Sequence, residues 1–283
     1  MTRRSAAALL LGAGAWARPR KRLDQVIGDV PGAALLIDVR TRELLAVHGA
    51  DLASALLAPP GSAIKPFTIE ALLRGGKLRE GETFACPGTL AIGTRSFDCS
   101  HPAVAVPIDV RTALAYSCNC FVAHFAERFA AGELAAHLLR CGLTARSGWF
   151  DDGEASGRVE RATTRAAQQL QAIGEAGVLV TAAEMALAYR RLALAAPDTI
   201  RSGLEDAVDF GTAQRAHVAA ASVAGKTGSV RAEDGARFAW FCGFAPSRAP
   251  AVVVTVMLGG RSGGADAAPV AARILEAHFA GRL

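Results

Sequence analysis

The sequence predicts an α+β fold: a mainly antiparallel sheet built from both termini and flanked by helices, with an inserted all-helical lobe. Three observations lead there. Two apolar runs, Ala33 to Asp38 and Glu43 to His48, lie near the start, and three more lie between Val223 and Leu258. Between these sets the apolar residues recur at helical spacing. Strands at both ends around a helical middle are most economically paired into one sheet. With 283 residues, 51% of them hydrophobic and 20% charged, the chain can bury a sizeable core. No stretch of 18 or more residues is unbroken in its apolar character, which argues against a multi-span membrane protein.

In chain order, residues 1–17 read as an export signal. Thr2-Arg3-Arg4 is a positive start, Ala6 to Ala13 a small apolar run, and Ala15-Trp16-Ala17 an A-x-A cleavage site. Residues 18–30 form a basic lead-in, and residues 31–283 a single domain with no internal repeat or low-complexity linker. Val39-Arg40-Thr41-Arg42 joins the first two apolar runs as a β-hairpin. Pro59-Pro60-Gly61 breaks the chain, and Ser62 opens a helical pattern through Phe67 to Leu73 that stops at Gly75-Gly76. The Gly and Pro content of Lys77 to Pro107 indicates loops and short strands. Asp109 to Cys141 is helical in at least two pieces separated near Gly132, and Gly142 to Arg165 reads as loop. Thr181 starts a further helix, with Glu184 at capping-box spacing. Val223 to Val230, Phe238 to Phe244 and Ala251 to Leu258 are three strands, and Pro269 to Phe279 is a closing helix.

The composition is biased: 61 Ala, 27 Arg against 4 Lys, and a single Asn. Motifs of Ala and Gly therefore carry little information, whereas each Lys and the one Asn carry much. The formal charge of +5 does not indicate a nucleic-acid partner. Its basic residues either crowd between Arg4 and Arg22 or are interspersed with acids, and few aromatics are present to stack bases. Six cysteines suit an exported protein in which some pair. Cys86 and Cys99 flank the Gly-containing stretch Pro87 to Asp98, which can fold back as a hairpin and bring them together; a disulfide and two free thiols both remain open. His137 and Cys141 are one helical turn apart. Without a second spaced pair they read as residues of a packed helix, and no metal or cofactor is expected.

Three short strings carry chemistry. Ser62-Ala63-Ile64-Lys65 sets a hydroxyl and an amine one helical turn apart on one face. Ser117-Cys118-Asn119 is expected to begin a helix in the middle lobe, and Lys226-Thr227-Gly228-Ser229 lies in a predicted strand. Two of the four lysines and the only asparagine fall in these strings. In this order and spacing the chain resembles the penicillin-binding protein transpeptidase family, which shares its motifs with the serine β-lactamases. Pro60-Gly61-Ser62-Ala63-Ile64-Lys65-Pro66-Phe67-Thr68 resembles the family's nucleophile segment. Gly32 to Ala46 resembles the strand pair before it. Ala239-Trp240-Phe241-Cys242-Gly243-Phe244-Ala245-Pro246 and Ala267-Ala268-Pro269-Val270 resemble segments after its lysine triad, so the likeness spans roughly Gly32 to Phe279. The resemblance implies a DD-peptidase/β-lactamase-like fold for residues 31–283.

A serine hydroxyl needs a base to become a nucleophile. Lys65 can serve only when neutral, and burial together with a second cation, Lys226, would both lower its pKa. Ser117 can pass a proton to a leaving amine, and Asn119 can meet a substrate amide with donor and acceptor. Lys226, Thr227 and Ser229, with Gly228 between them, can hold a substrate carboxylate. The resemblance further implies an oxyanion hole formed by the N–H groups of Ser62 and Ser229.

What the resemblance implies functionally is an exported serine acyltransferase, working in the periplasm or on the outer face of the cytoplasmic membrane. It would act on D-Ala-D-Ala stem peptides of peptidoglycan and bond covalently to β-lactams. Class A β-lactamases deacylate with a glutamate in an E-x-x-L-N segment; here the only Asn is already Asn119. Class D enzymes carry an apolar residue where this chain has Asn119. A β-lactamase, and a non-catalytic β-lactam sensor or cell-wall scaffold, are the competing readings. The absence of a signalling segment after the catalytic region counts against the sensor. About thirty residues precede the first expected strand, too few for another domain, so a membrane-bound cell-wall synthesis protein is an expected partner. Cys118, Cys120, Cys141 and Cys242 read as small packed thiols.

Overall fold

The computed structural model describes residues 21–99, 101, 106–150 and 153–283. The export signal expected at residues 1–17 lies outside them, as does the start of the basic lead-in. The strands are β1 (Lys21–Arg22), β2 (Gly32–Asp38), β3 (Leu44–His48), β4 (Thr89–Ile92), β5 (Arg95–Asp98), β6 (Arg158–Val159), β7 (Val178–Leu179), β8 (Ala224–Arg231), β9 (Arg237–Ala245) and β10 (Val252–Gly259). Six of them form one sheet in the order β1-β3-β2-β10-β9-β8, antiparallel except where β1 meets β3. The two ends of the chain join where β2 pairs with β10, from Asp38 opposite Val252 to Gly32 opposite Leu258. That pairing makes one sheet from segments more than 200 residues apart in sequence.

The central strands are buried on both faces, which is why they read as near-continuous apolar runs. Side chains alternate along each strand. Leu35, Ile37, Trp240, Phe244, Val253 and Met257 face the larger core with the helical lobe. Ala34, Leu36, Phe241, Val254 and Val256 face a second core closed by the C-terminal helix. The helices are α1 (Asp24–Ile27), α2 (Ala50–Ala55), α3 (Lys65–Arg74), α4 (Val110–Ala115), α5 (Asn119–Ala126), α6 (Glu133–Arg140), α7 (Arg165–Ile173), α8 (Ala182–Ala195), α9 (Asp198–Asp209) and α10 (Ala268–Phe279). α10 covers one face of the sheet, while α3 to α7 make the inserted lobe.

The expected strand ends lie within one or two residues of those observed, and the capping box at Thr181 forms, with Glu184 bonding back to the Thr181 N–H at 2.8 Å. Four features refine or correct the sequence reading. The helical region from Asp109 to Cys141 is in three pieces, because the chain turns at Ser117-Cys118 as well as near Gly132. Only Asn119 of the middle string is helical; Cys118 is the N-cap and Ser117 lies before it. Helix α7, capped by Thr164, and helix α9 stand where no helix was expected. Cys86 and Cys99 are free thiols whose sulfurs are 3.7 Å apart, although the hairpin β4–β5 does bring them together as expected.

His137 proves to belong to a charge network, with Cys141 buried beside it as a free thiol. His137 Nε2 lies 3.2 Å from the buried Glu70 carboxylate, which also receives Arg191 at 2.6 and 2.9 Å and Arg74 at 2.9 Å. Burial alone would push Glu70 up; the hydrogen bonds from His137, Arg191 and Arg74 outweigh it and hold the group at about 2. Two guanidiniums already neutralise this carboxylate, so the packed-helix reading of the pair stands.

Candidate active site

Pro60 and Gly61 deliver the chain into a 3-10 turn, Gly61–Ile64, that runs directly into α3. Gly61 has φ of +51°, a left-handed conformation that favours glycine. The turn is clamped on three sides. Gly61 N–H donates to Gly174 O at 3.1 Å, the buried Tyr189 hydroxyl to Ala63 O at 2.8 Å, and Trp240 Nε1–H to Pro59 O at 3.0 Å. Ser62 is thus presented from a rigid support, into a cleft of about 420 Å³.

Lys65, one turn on, is completely buried. Its Nζ donates to Ser117 O and to Asn119 Oδ1, both at 2.6 Å, and to Ser117 Oγ at 3.3 Å. Burial lowers its pKa to about 8. The first and second strings therefore meet at one ammonium group.

The middle string owes its shape to the end of α4. Cys118 N–H donates to Ala113 O at 2.9 Å and Ser117 N–H to Leu114 O at 3.2 Å. Those are the two bonds of a Schellman C-cap, whose left-handed position is usually glycine. Here it is Ser117, at φ +58°. A non-glycine residue there costs roughly 1–2 kcal/mol, and its hydroxyl and carbonyl both receive Lys65. Cys118 then caps α5, accepting from Phe121 N–H at 3.4 Å.

Strand β8 forms the opposite wall. Thr227 and Ser229 stand two residues apart and both line the cleft, with Ser117, Asn119, Thr212, Arg261, Ser262 and Gly264. Thr227 Oγ1 donates to Thr212 Oγ1 at 2.9 Å, and Gly263 N–H to Ser229 Oγ at 2.9 Å. Lys226 is buried behind this wall, with Nζ 3.1 Å from Thr227 O. Burial first, and the charge of Lys65 second, hold its pKa well below the usual lysine range. The expectation that Lys226 would lower Lys65 is not met: burial alone lowers Lys65, and it is Lys226 that the neighbouring lysine charge lowers.

Gly228 sets how closely β8 approaches the turn that bears Ser62: a Cβ there would lie 2.5 Å from Pro60 O and 3.1 Å from Ala63 N. Gly228→Ala must displace the turn that bears Ser62. A misplacement near 1 Å typically costs about 10²-fold in rate. We expect acylation by a reporter penicillin to slow by that order in stopped-flow measurements, with the far-ultraviolet circular dichroism unchanged; an unaltered rate would show that this contact does not position the serine.

All eight residues singled out from sequence meet around this cleft or immediately behind it. Thr212, Arg261, Ser262 and Gly264 were missed. Thr212 belongs to no local pattern, and Arg261-Ser262-Gly263-Gly264 carries only the glycine signal of a loop.

The profile of the penicillin binding protein transpeptidase domain matches residues 32–195 and 194–276. Among solved structures, the chain is similar to Pseudomonas aeruginosa PBP2 in complex with WCK 5153, with a TM-score of 0.80 at 20% identity, covering 90% of this chain and 75% of that one. It is also similar to the penicillin-binding protein PBP2 in the complex with MreC from Helicobacter pylori, with a TM-score of 0.80 at 18% identity, covering 92% of this chain but 62% of that chain, less than two thirds of its length. At these identities the likeness to both structures is one of fold.

Proposed function

The chain belongs to the penicillin-binding protein transpeptidase domain family, and from that premise we propose that it is an exported serine acyltransferase acting on D-Ala-D-Ala stem peptides of peptidoglycan. The observation that carries this reading is the meeting of Ser117 and Asn119 at the buried Lys65 amine, in a cleft that Ser62 lines together with Thr227 and Ser229.

In this reading neutral Lys65 takes the Ser62 hydroxyl proton as Ser62 Oγ bonds to the carbonyl carbon of the penultimate D-alanine. The N–H groups of Ser62 and Ser229 hold the oxyanion that develops. Ser117, within reach of Lys65 Nζ, relays the proton to the leaving amine; the C–N bond breaks and D-alanine departs. The Asn119 side chain orients the substrate amide. Thr227 and Ser229 bind the terminal carboxylate through their hydroxyls, with the exposed guanidinium of Arg261 on the same cleft and Lys226 buried behind Thr227. In the second half, an amine of another stem peptide, or water, attacks the acyl carbon and gives its proton to Lys65, which passes it to Ser62 Oγ as the ester C–O bond breaks and the free serine returns. The same first half opens a β-lactam ring and leaves it on Ser62.

Export places the enzyme in the periplasm or on the outer face of the cytoplasmic membrane, where its substrate is. The complex of the Helicobacter pylori relative with MreC supports a protein partner, here a membrane-bound protein of cell-wall synthesis.

The test is D-alanine release from a synthetic stem pentapeptide, followed across pH. Lys65 acts as a base only when deprotonated, and burial lowers its pKa to about 8. The rate should therefore climb about tenfold per pH unit below pH 8 and level off above it. Absence of D-alanine release, together with repeated hydrolysis of a chromogenic β-lactam by each molecule, would replace this reading with that of a β-lactamase.

A further inference from the structure

Four of the six cysteines gather directly behind the middle string of the active site. Cys86 and Cys99 flank the hairpin β4–β5, His101 follows two residues later, and Cys118 and Cys120 stand at the start of α5. The Cys86–Cys99 and Cys99–Cys118 sulfur separations are each 3.7 Å, Cys86–Cys118 is 3.5 Å, and Cys86 Sγ lies 3.6 Å from His101 Nε2. The donor atoms of Cys86, Cys99, His101 and Cys118 all lie within 4.8 Å of one another.

These distances discriminate between explanations. A disulfide needs sulfurs about 2.05 Å apart, and every pair here is too distant. Metal–sulfur bonds of about 2.3 Å and metal–nitrogen bonds of about 2.0–2.1 Å, at tetrahedral angles, place the donor atoms about 3.5–3.8 Å apart. The four separations given above all fall in that interval. We propose that Cys86, Cys99, His101 and Cys118 form a closed, thiolate-rich metal site fitted to zinc. Three soft thiolates and an imidazole select zinc over the oxygen-preferring magnesium and calcium, and a complete set of four protein ligands marks a structural site.

The surroundings fit that assignment. Gly88 N–H points to Cys86 Sγ at 3.4 Å and Phe121 N–H to Cys118 Sγ at 3.4 Å. Such N–H···S bonds are the outer partners that orient and stabilise ligating thiolates. Cys120 Sγ lies 3.4 Å from Cys99 Sγ, beside the four donor atoms. The site also has structural work to do. A two-stranded hairpin is marginal alone, and the metal would staple β4–β5 to α5. Cys118 lies between Ser117 and Asn119, so the same bond would hold the strained turn that grips Lys65. Asn119 Nδ2–H already donates to Asp98 O of that hairpin at 3.3 Å.

Metal content tests this independently of what Ser62 acylates. The full chain, reduced and equilibrated with Zn2+ and then passed over a desalting column, is expected to retain one zinc per molecule by elemental mass spectrometry. With Co2+ alone it should show the strong visible bands of tetrahedral cobalt and a thiolate-to-cobalt charge-transfer band. Cys86→Ser combined with Cys99→Ser should lose both signals, while Cys141→Ser keeps them. Failure of wild type to retain stoichiometric metal, a pale octahedral cobalt spectrum, or equal loss in Cys141→Ser would overturn the site. The wild-type cobalt spectrum decides the matter even if the double variant does not fold.

Discussion

Ser62→Ala is expected to abolish covalent labelling by a fluorescent penicillin. Removing a nucleophilic serine typically lowers turnover on the order of 10⁶-fold, which puts acylation below detection. The fold should survive, because Ser62 is only partly buried and the turn is held by Gly174, Tyr189 and Trp240 through the backbone of its neighbours. Loss of one such hydroxyl should change stability by no more than about 1 kcal/mol. Intact-mass spectrometry of wild type and variant after penicillin exposure reads the result directly. A persistent adduct on wild type and none on Ser62→Ala is the outcome expected. Labelling that survives the substitution would mean the nucleophile lies elsewhere.

Lys65→Ala should give the next largest effect, a fall in acylation of about 10²–10⁴-fold, the usual worth of a general base. The variant also leaves Ser117 O and Asn119 Oδ1 without their shared donor, so a structural effect must be separated from a chemical one. Lys65→Met keeps most of the buried stem and serves that purpose. The sign of its stability change can be derived. The folded pKa of Lys65, about 8, lies below the ordinary lysine value, so the unfolded chain binds more protons between these two pH values. Stability contributed by this group rises with pH across that window, and below about pH 8 the full cost of burying the cation is present. Lys65→Met should consequently melt no lower than wild type at pH 7 in calorimetry, yet acylate slowly at every pH, without the rise through pH 8. A variant that acylates at the wild-type rate would show that another base acts.

Much of the fold was legible because the sheet is buried on both faces. Val252 to Leu258 and Phe238 to Phe244 are apolar at nearly every position, and such runs between Gly and Pro can be read only as strands or buried helix. Helices α7 and α9 were not legible. α7 mixes Arg165, Gln168, Gln169 and Gln171 with its apolar residues, and the glutamines satisfy carbonyls across the lobe that no local pattern announces. α9 contains Gly203, poor in a helix, which is there because a Cβ would lie 2.9 Å from the Leu114 side chain. Ser117 misled for a related reason: its left-handed backbone is dictated by the end of α4. The cysteine cluster was hidden by spacing, since its ligands are joined by a hairpin and a loop instead of a short repeated interval.

By itself the sequence determined the fold class, the strand order along the chain and the side chains that the candidate site brings together. Those depend on periodicity, caps and scarce residue types, all local properties of a chain. Only the tertiary structure decided that Lys65 lies 2.6 Å from groups 52 and 54 residues away, and that Lys226 is buried behind the cleft while Arg261 lines it. It likewise decided that three cysteines and a histidine converge at one point. The physical reason is common to all of these. Such distances are fixed by how the helical lobe packs against the sheet, and no local pattern encodes the packing of elements distant in sequence.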